Sequence, residues 1–129
     1  MMLTEKLALG IGGYALAAGI GVMLDPVRFM AMLDGLRERA ASAYMTGVAV
    51  YFIGAGILAA HWAWDTTLEI AVSTVGCAAV LEGMAFLVAP RLAVDAMHLV
   101  WRQESVRVWG AISALFGLWI VALAFGLFG

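Results

Sequence analysis

Charged residues are scarce in this sequence, and cysteine and proline are nearly absent. Only 12% of the 129 residues are charged and 65% are hydrophobic, a composition far outside the range of soluble domains. The single cysteine, Cys77, excludes an intramolecular disulfide and a thiolate zinc site. The net charge of -2 comes without a basic cluster, so nothing indicates nucleic-acid binding. The composition predicts a protein embedded in a lipid bilayer.

Four apolar runs are long enough to cross a bilayer as helices. They cover Leu7 to Leu24, Ala40 to Ala60, Ile70 to Ala89 and Val108 to Gly129. We therefore predict an all-α membrane fold, a bundle of four transmembrane helices that forms a single domain over residues 1–129. The first run is preceded by only one basic residue, Lys6, which favours a retained span over a cleaved signal peptide.

The only two prolines begin the connections after the first and third runs. Pro26 and Pro90 can each end one helix and occupy the first turn of the next. Apolar and polar residues then recur at helical spacing, which predicts two short amphipathic helices at the membrane interface. The candidate interfacial residues are Arg28, Arg37, Arg39, Arg91, Asp95, His98 and Arg102.

Basic residues also predict the orientation. Six of the seven Lys and Arg residues lie in the connections after spans one and three, and none lies in the connection after span two. By the positive-inside tendency, the two arginine-bearing connections are cytoplasmic and both termini are periplasmic.

Glycine spacing indicates an internal duplication of a helical hairpin. Each run carries two glycines seven residues apart: Gly12 and Gly19, Gly47 and Gly54, Gly76 and Gly83, Gly110 and Gly117. Pro26 follows Gly19 by seven residues, and Pro90 follows Gly83 by seven. We predict one repeat over about residues 7–61 and another over about 70–129, related by a pseudo-two-fold axis along the membrane normal. Glycines on one face would let the helix backbones approach closely.

The second half of the chain carries a short motif. Its elements are Leu81-Glu82-Gly83, a proline at Pro90, an arginine at Arg107 and a glycine at Gly110. This pattern resembles the YjeT-like family of short uncharacterised inner-membrane proteins. The resemblance implies a bacterial-type inner membrane and no particular activity. In the first half the motif reads Ala17-Ala18-Gly19, so a role tied to the acid belongs to one half only.

Glu82 is the only charged residue inside the third run, about 4 Å from its middle. An ionised acid there costs roughly 2.5 to 3.5 kcal/mol on insertion scales, so it is expected to face protein or a water-filled cavity. One interpretation is a protonatable coupling site of a transporter. The other is an acid that binds a neighbouring helix, through Thr46, Tyr44, Tyr51 or Ser113, or that pairs with a partner subunit.

No catalytic or cofactor site is expected. The serines lack a neighbouring histidine and acid at a recognisable spacing, and no metal-ligand cluster or phosphate loop is present. Neither His61 nor His98 lies deep in a span, where a haem ligand would be needed. Both are expected to make polar contacts at the interface.

Three functions remain for the chain. The first is a non-enzymatic accessory or assembly subunit of a larger inner-membrane complex. The second is a small proton-coupled transporter that acts as a homo-oligomer through Glu82. The third is a lipid-sensing module that binds anionic headgroups through Arg28, Arg37, Arg39 and Arg102. The small size and the lack of recognisable chemistry favour the first.

Overall fold

Six α-helices make up the part of the chain that the computed structural model describes, residues 3–102 and 104–126 without the side chain of Ala40. Their bounds are α1 Leu3–Leu24, α2 Pro26–Glu38, α3 Ala40–Ala60, α4 Thr67–Val88, α5 Pro90–Val100 and α6 Val106–Ala124. Four of them, α1, α3, α4 and α6, are long and apolar enough to span a membrane. The predicted all-α bundle with four transmembrane helices is confirmed, and the chain is an integral membrane protein.

The two prolines begin helices, as predicted. Both α2 and α5 start at a proline, which has the φ that a helix needs and no N–H to leave unpaired in the first turn. Asp25 caps α2, since its Oδ1 accepts a hydrogen bond from the backbone N–H of Arg28 at 3.1 Å.

Other helix bounds differ from the apolar runs. The α4 helix begins at Thr67, before the run, because the Thr66 hydroxyl accepts a hydrogen bond from the N–H of Glu69 at 3.1 Å. A threonine followed three residues later by glutamate is a favourable start for a helix. The α6 helix ends at Ala124, and Gly126 adopts a φ of 75° just beyond it, a conformation that glycine adopts readily. The last residues of the predicted fourth span, 127–129, lie outside the described residues.

The spanning helices pack most closely as two antiparallel pairs, α1 with α6 and α3 with α4. All eight glycines of the predicted faces lie at these two contacts: Gly12 and Gly19 face Gly117 and Gly110, and Gly54 and Gly47 face Gly76 and Gly83. A Cβ atom added at any of them would lie 2.4 to 2.9 Å from an atom of the facing helix. Glycine is therefore what allows the backbones to touch.

Each close pair joins one helix of the first half of the chain to one helix of the second. The two helices of a predicted repeat, α1 and α3 or α4 and α6, are not the close partners. The contact of Gly12 with Gly117 has a counterpart in the contact of Gly76 with Gly54. The same glycine positions therefore meet in both pairs, while the duplication itself stays a prediction.

Two small hydrophobic clusters lie at the two ends of the bundle, and the first of them joins α4 to the α1/α6 pair. At the end that contains His61, called the histidine end, the buried residues are Ala8, Val72, Ile120 and Ala124. At the end that contains Pro26 and Pro90, called the proline end, they are Ala43, Phe86 and Val94. The second cluster packs α5 against α3 and α4, so the short helix is part of the bundle.

Candidate functional site

Glu82 lies on the outer surface of the bundle. The adjacent Gly83 is buried against the backbone of Tyr51 in α3, whereas Glu82 is turned away from that contact and is exposed. Successive residues of an α-helix differ in direction by about 100°, so both cannot face the same neighbour. The acid is therefore not enclosed between the helices of its own chain.

The Glu82 side chain borders a shallow groove of about 290 Å³ between α4 and α5. All the other side chains that line this groove, called here the α4/α5 groove, are apolar: Ala85, Phe86, Ala93, Ala96, Met97, Val100 and Trp101. Phe86 is buried and forms part of the floor, while Ala85 and Ala96 are small and exposed along the groove. The acid is thus set at the edge of an apolar surface.

The expectation that Glu82 binds a neighbouring helix of the same chain is wrong for the described residues, where its carboxylate has no hydrogen-bond or ion-pair partner. Two of the expected donors are used elsewhere. Thr46 donates to the carbonyl oxygen of Ser42 at 2.8 Å, and Ser113 donates to that of Ala15 at 2.9 Å. The second bond ties α6 to α1, so it serves the helix pair.

A second groove lies on the other helix pair, between α1 and α6, with Phe29 and Trp101 at one end. Its volume is about 340 Å³, and Ala18, the residue at the place of Glu82 in the first half, lies in its lining. Tyr14, Phe29 and Trp109 are among the other lining residues, and none of the lining residues is charged. Of these two grooves, only the α4/α5 groove is bordered by an acid.

The two short helices are joined at the proline end by polar contacts. Arg37 Nη2 donates to Asp95 Oδ1 at 3.0 Å, and His98 Nε2 lies 3.1 Å from Asp34 Oδ1. His98 Nδ1 also lies 2.9 Å from the carbonyl oxygen of Val94. Because both ring nitrogens face acceptors, only the imidazolium form donates to both. Three predicted interfacial residues, Arg37, Asp95 and His98, therefore connect α2 with α5.

The remaining predicted interfacial arginines lie on the surface of the same end. Arg28, Arg39, Arg91 and Arg102 are all exposed. Within the described residues none of the four forms a salt bridge. Arg91, with the paired Arg37 and Asp95, lines a depression of about 360 Å³ between α2 and α5.

His61 is buried at the histidine end, in a hydrogen-bond network that the sequence did not predict. Its ring nitrogens lie 2.9 Å from Thr4 Oγ1 and 3.0 Å from Ser73 Oγ. Ser73 is fully buried and donates to the carbonyl oxygen of Ala63 at 2.8 Å. These bonds tie the start of α1 and the end of α3 to α4.

The hydrogen bonds of this network determine the tautomer of His61. Since the Ser73 hydroxyl donates to a carbonyl, it accepts from the Nδ1–H of His61, whose Nε2 then accepts from Thr4. A histidine in this tautomer cannot take the proton of the serine, and a fully buried serine is out of reach of a substrate. Among the described residues, no three His, Cys, Asp or Glu side chains form a group that could hold a metal ion.

Replacing Ser73 by alanine is expected to lower the free energy of unfolding by about 1 to 3 kcal/mol. The change leaves the Nδ1–H of His61 unpaired in a buried place and the carbonyl oxygen of Ala63 unpaired in a partly buried one. Thr46→Ala is the matched control, because that hydroxyl bonds only a carbonyl of its own helix. Unfolding in mixed micelles measures both, and equal effects would contradict a special role for Ser73.

Comparison of the chain with family models, curated proteins and solved structures found no match, so the resemblance to YjeT-like proteins stays a prediction.

Proposed function

We propose that the chain is a non-enzymatic accessory or assembly subunit of a larger complex in a bacterial-type inner membrane. The observation that supports this most directly is the outward position of Glu82 beside the α4/α5 groove. An acid at that depth is costly when it faces lipid, and a second protein that packs there would remove it from the acyl chains.

The packing inside each helix pair supports the same role. At Gly83 and Gly117 an added Cβ atom would lie within 2.5 Å of the facing backbone, so α3 and α4, and α1 and α6, touch without an intervening space. Glu82 does not point into either contact. A transport path through one chain would have to reach an acid that lies on its outer surface.

The proposed orientation follows the arginines. The proline end carries Arg28, Arg37, Arg39, Arg91, Arg102 and Arg107, which favours a cytoplasmic location for α2 and α5. Both termini then lie on the periplasmic side. In this orientation the α4/α5 groove opens towards the cytoplasmic half of the bilayer, and the exposed arginines stand near anionic headgroups.

Purification of the full chain from its own membranes in a mild detergent is expected to yield a larger membrane protein in a fixed ratio. Native mass spectrometry of the purified sample measures that ratio. A lone, monodisperse protein would contradict the proposal. A proton-linked flux in liposomes that Glu82→Gln abolishes while the protein stays folded would also contradict it. That result would favour the alternative function, a homo-oligomeric transporter.

A further inference from the structure

We propose that the α4/α5 groove binds one transmembrane helix of another protein, which places a lysine or arginine side chain against the Glu82 carboxylate. The inference rests on the proposed function and adds the place and the chemistry of the contact. It follows from an acid that has no hydrogen-bond or ion-pair partner among the described residues and that lies beside an otherwise apolar groove at membrane depth.

The depth of Glu82 selects a partner within the bilayer. The residue lies six positions before Val88, the last residue of α4, which corresponds to about 9 Å along the helix. Side chains of an α-helix lean towards its N-terminus, and for α4 this direction leads away from the proline end. Because α5 lines the groove on the side of that end, headgroups and water there are poorly placed to reach the acid.

The shape of the groove fits a helix. Ala85, Ala93 and Ala96 offer small side chains along its length, and small residues allow a neighbouring helix backbone to approach closely in a bilayer. Leu81 and Met84 stand exposed beside Glu82 on α4, so the apolar surface continues past the acid. A second helix laid here would cover both the apolar surface and the carboxylate.

A second copy of the chain does not supply the required charge. All seven Lys and Arg residues lie outside the middle of the spans: Lys6 is in the first turns of α1, Arg107 is in the first turn of α6, and the others lie in or beside α2 and α5. Arg107 is at the proline end, and its side chain leans outwards from the span. Copies in the same orientation therefore bring no cation to the depth of Glu82.

The difference between the grooves predicts one partner helix per chain. Ala18 takes the place of the acid in the groove on the other helix pair, and no charged residue lines that groove. A basic side chain buried against that surface would lose its hydration without gaining an ion pair. Of these two grooves, only the α4/α5 groove can therefore accept it.

Synthetic helices provide a defined test in phosphatidylcholine vesicles. One peptide is a leucine-rich transmembrane helix with a single lysine about 9 Å from the end that would lie level with the proline end of the chain. Its control has leucine at that position. Energy transfer from labelled full-length chain to labelled peptide measures binding. We expect the wild-type chain to bind the lysine peptide about 10-fold more tightly than the control peptide.

Two variants locate the effect. Glu82→Leu should abolish the preference while the protein stays folded, because the change removes an acid from an apolar surface. Leu118→Ala on the exposed face of α6 should keep the preference unchanged. A photo-crosslinker placed at Ala85 should capture the lysine peptide, and one placed at Leu118 should not.

Equal affinity for the two peptides would overturn the inference, and so would a preference that survives Glu82→Leu. Self-association of the chain that Glu82→Leu abolishes would also overturn it, in favour of a homo-oligomer. Failure of the proposed function can be distinguished from failure of this inference. A lysine preference in vesicles together with a lone protein from native membranes would keep the groove chemistry and reject the accessory role, while the opposite pair of results would reject only the groove.

Discussion

Gly117→Ala should lower the free energy of unfolding by about 1 to 3 kcal/mol, although alanine is the better helix former. The added Cβ atom would lie 2.4 Å from the carbonyl oxygen of Gly12 and 2.5 Å from the backbone nitrogen of Leu16. Neither is the flexible end of a side chain, so α1 and α6 must move apart. Steric trapping or unfolding in mixed micelles measures the change.

Gly13→Ala is the matched control for this substitution. Gly13 lies next to Gly12 in α1, but a Cβ atom there would meet nothing within 4 Å. The control should be neutral or stabilising by up to about 1 kcal/mol, as expected for glycine to alanine in an exposed helix. Equal losses at both sites would show that α1 and α6 do not touch at Gly117.

Cysteine crosslinking should separate the observed helix pairs from a packing within each repeat. In a Cys77→Ala background, cysteines at Ala15 and Ser113 should react almost completely with a short bifunctional thiol reagent. The Ser113 hydroxyl bonds the carbonyl oxygen of Ala15 at 2.9 Å, which places the two positions side by side. After proteolytic cleavage in a connection between α1 and α6, only the crosslinked chain keeps the two fragments together. Gel mobility then measures the yield.

The control for the crosslink joins α1 to α3, its neighbour along the chain. Cysteines at Ala15 and Val50 should give little product, because α1 packs closely with α6 and not with α3. The opposite result, with Ala15 linked to Val50 and not to Ser113, would contradict the observed arrangement and restore two closed hairpins.

Hydrophobic length and proline position were sufficient to predict most elements of the fold. The four spans and the two helices that begin at Pro26 and Pro90 follow from residues that act within one or two helical turns. The pairing of the spans did not follow from them. A glycine face predicts that a helix has a close neighbour, but Gly12 carries no information on whether that neighbour is α3 or α6.

The surroundings of the polar residues were harder to predict. His61 directly follows α3 and Ser73 lies twelve residues later in α4, so only the tertiary packing brings them together. For Glu82 a signal was available. The face of α4 that packs on α3 is marked by Gly76 and Gly83, and a residue directly before Gly83 is turned away from that face by about 100°.

The contact between Asp34 and His98 joins equivalent positions of the two predicted halves. The two residues are 64 positions apart, the same interval as from Gly12 to Gly76 and from Pro26 to Pro90. If the two halves were identical, separate chains, the residue at this position would contact the same residue of the other copy. An acid would then face an acid, or an imidazole an imidazole. On the predicted duplication, joining the halves in one polypeptide lets the two equivalent positions carry different residues, here an acid and a histidine. Separated halves that pair with themselves should then associate less well than the mixed pair.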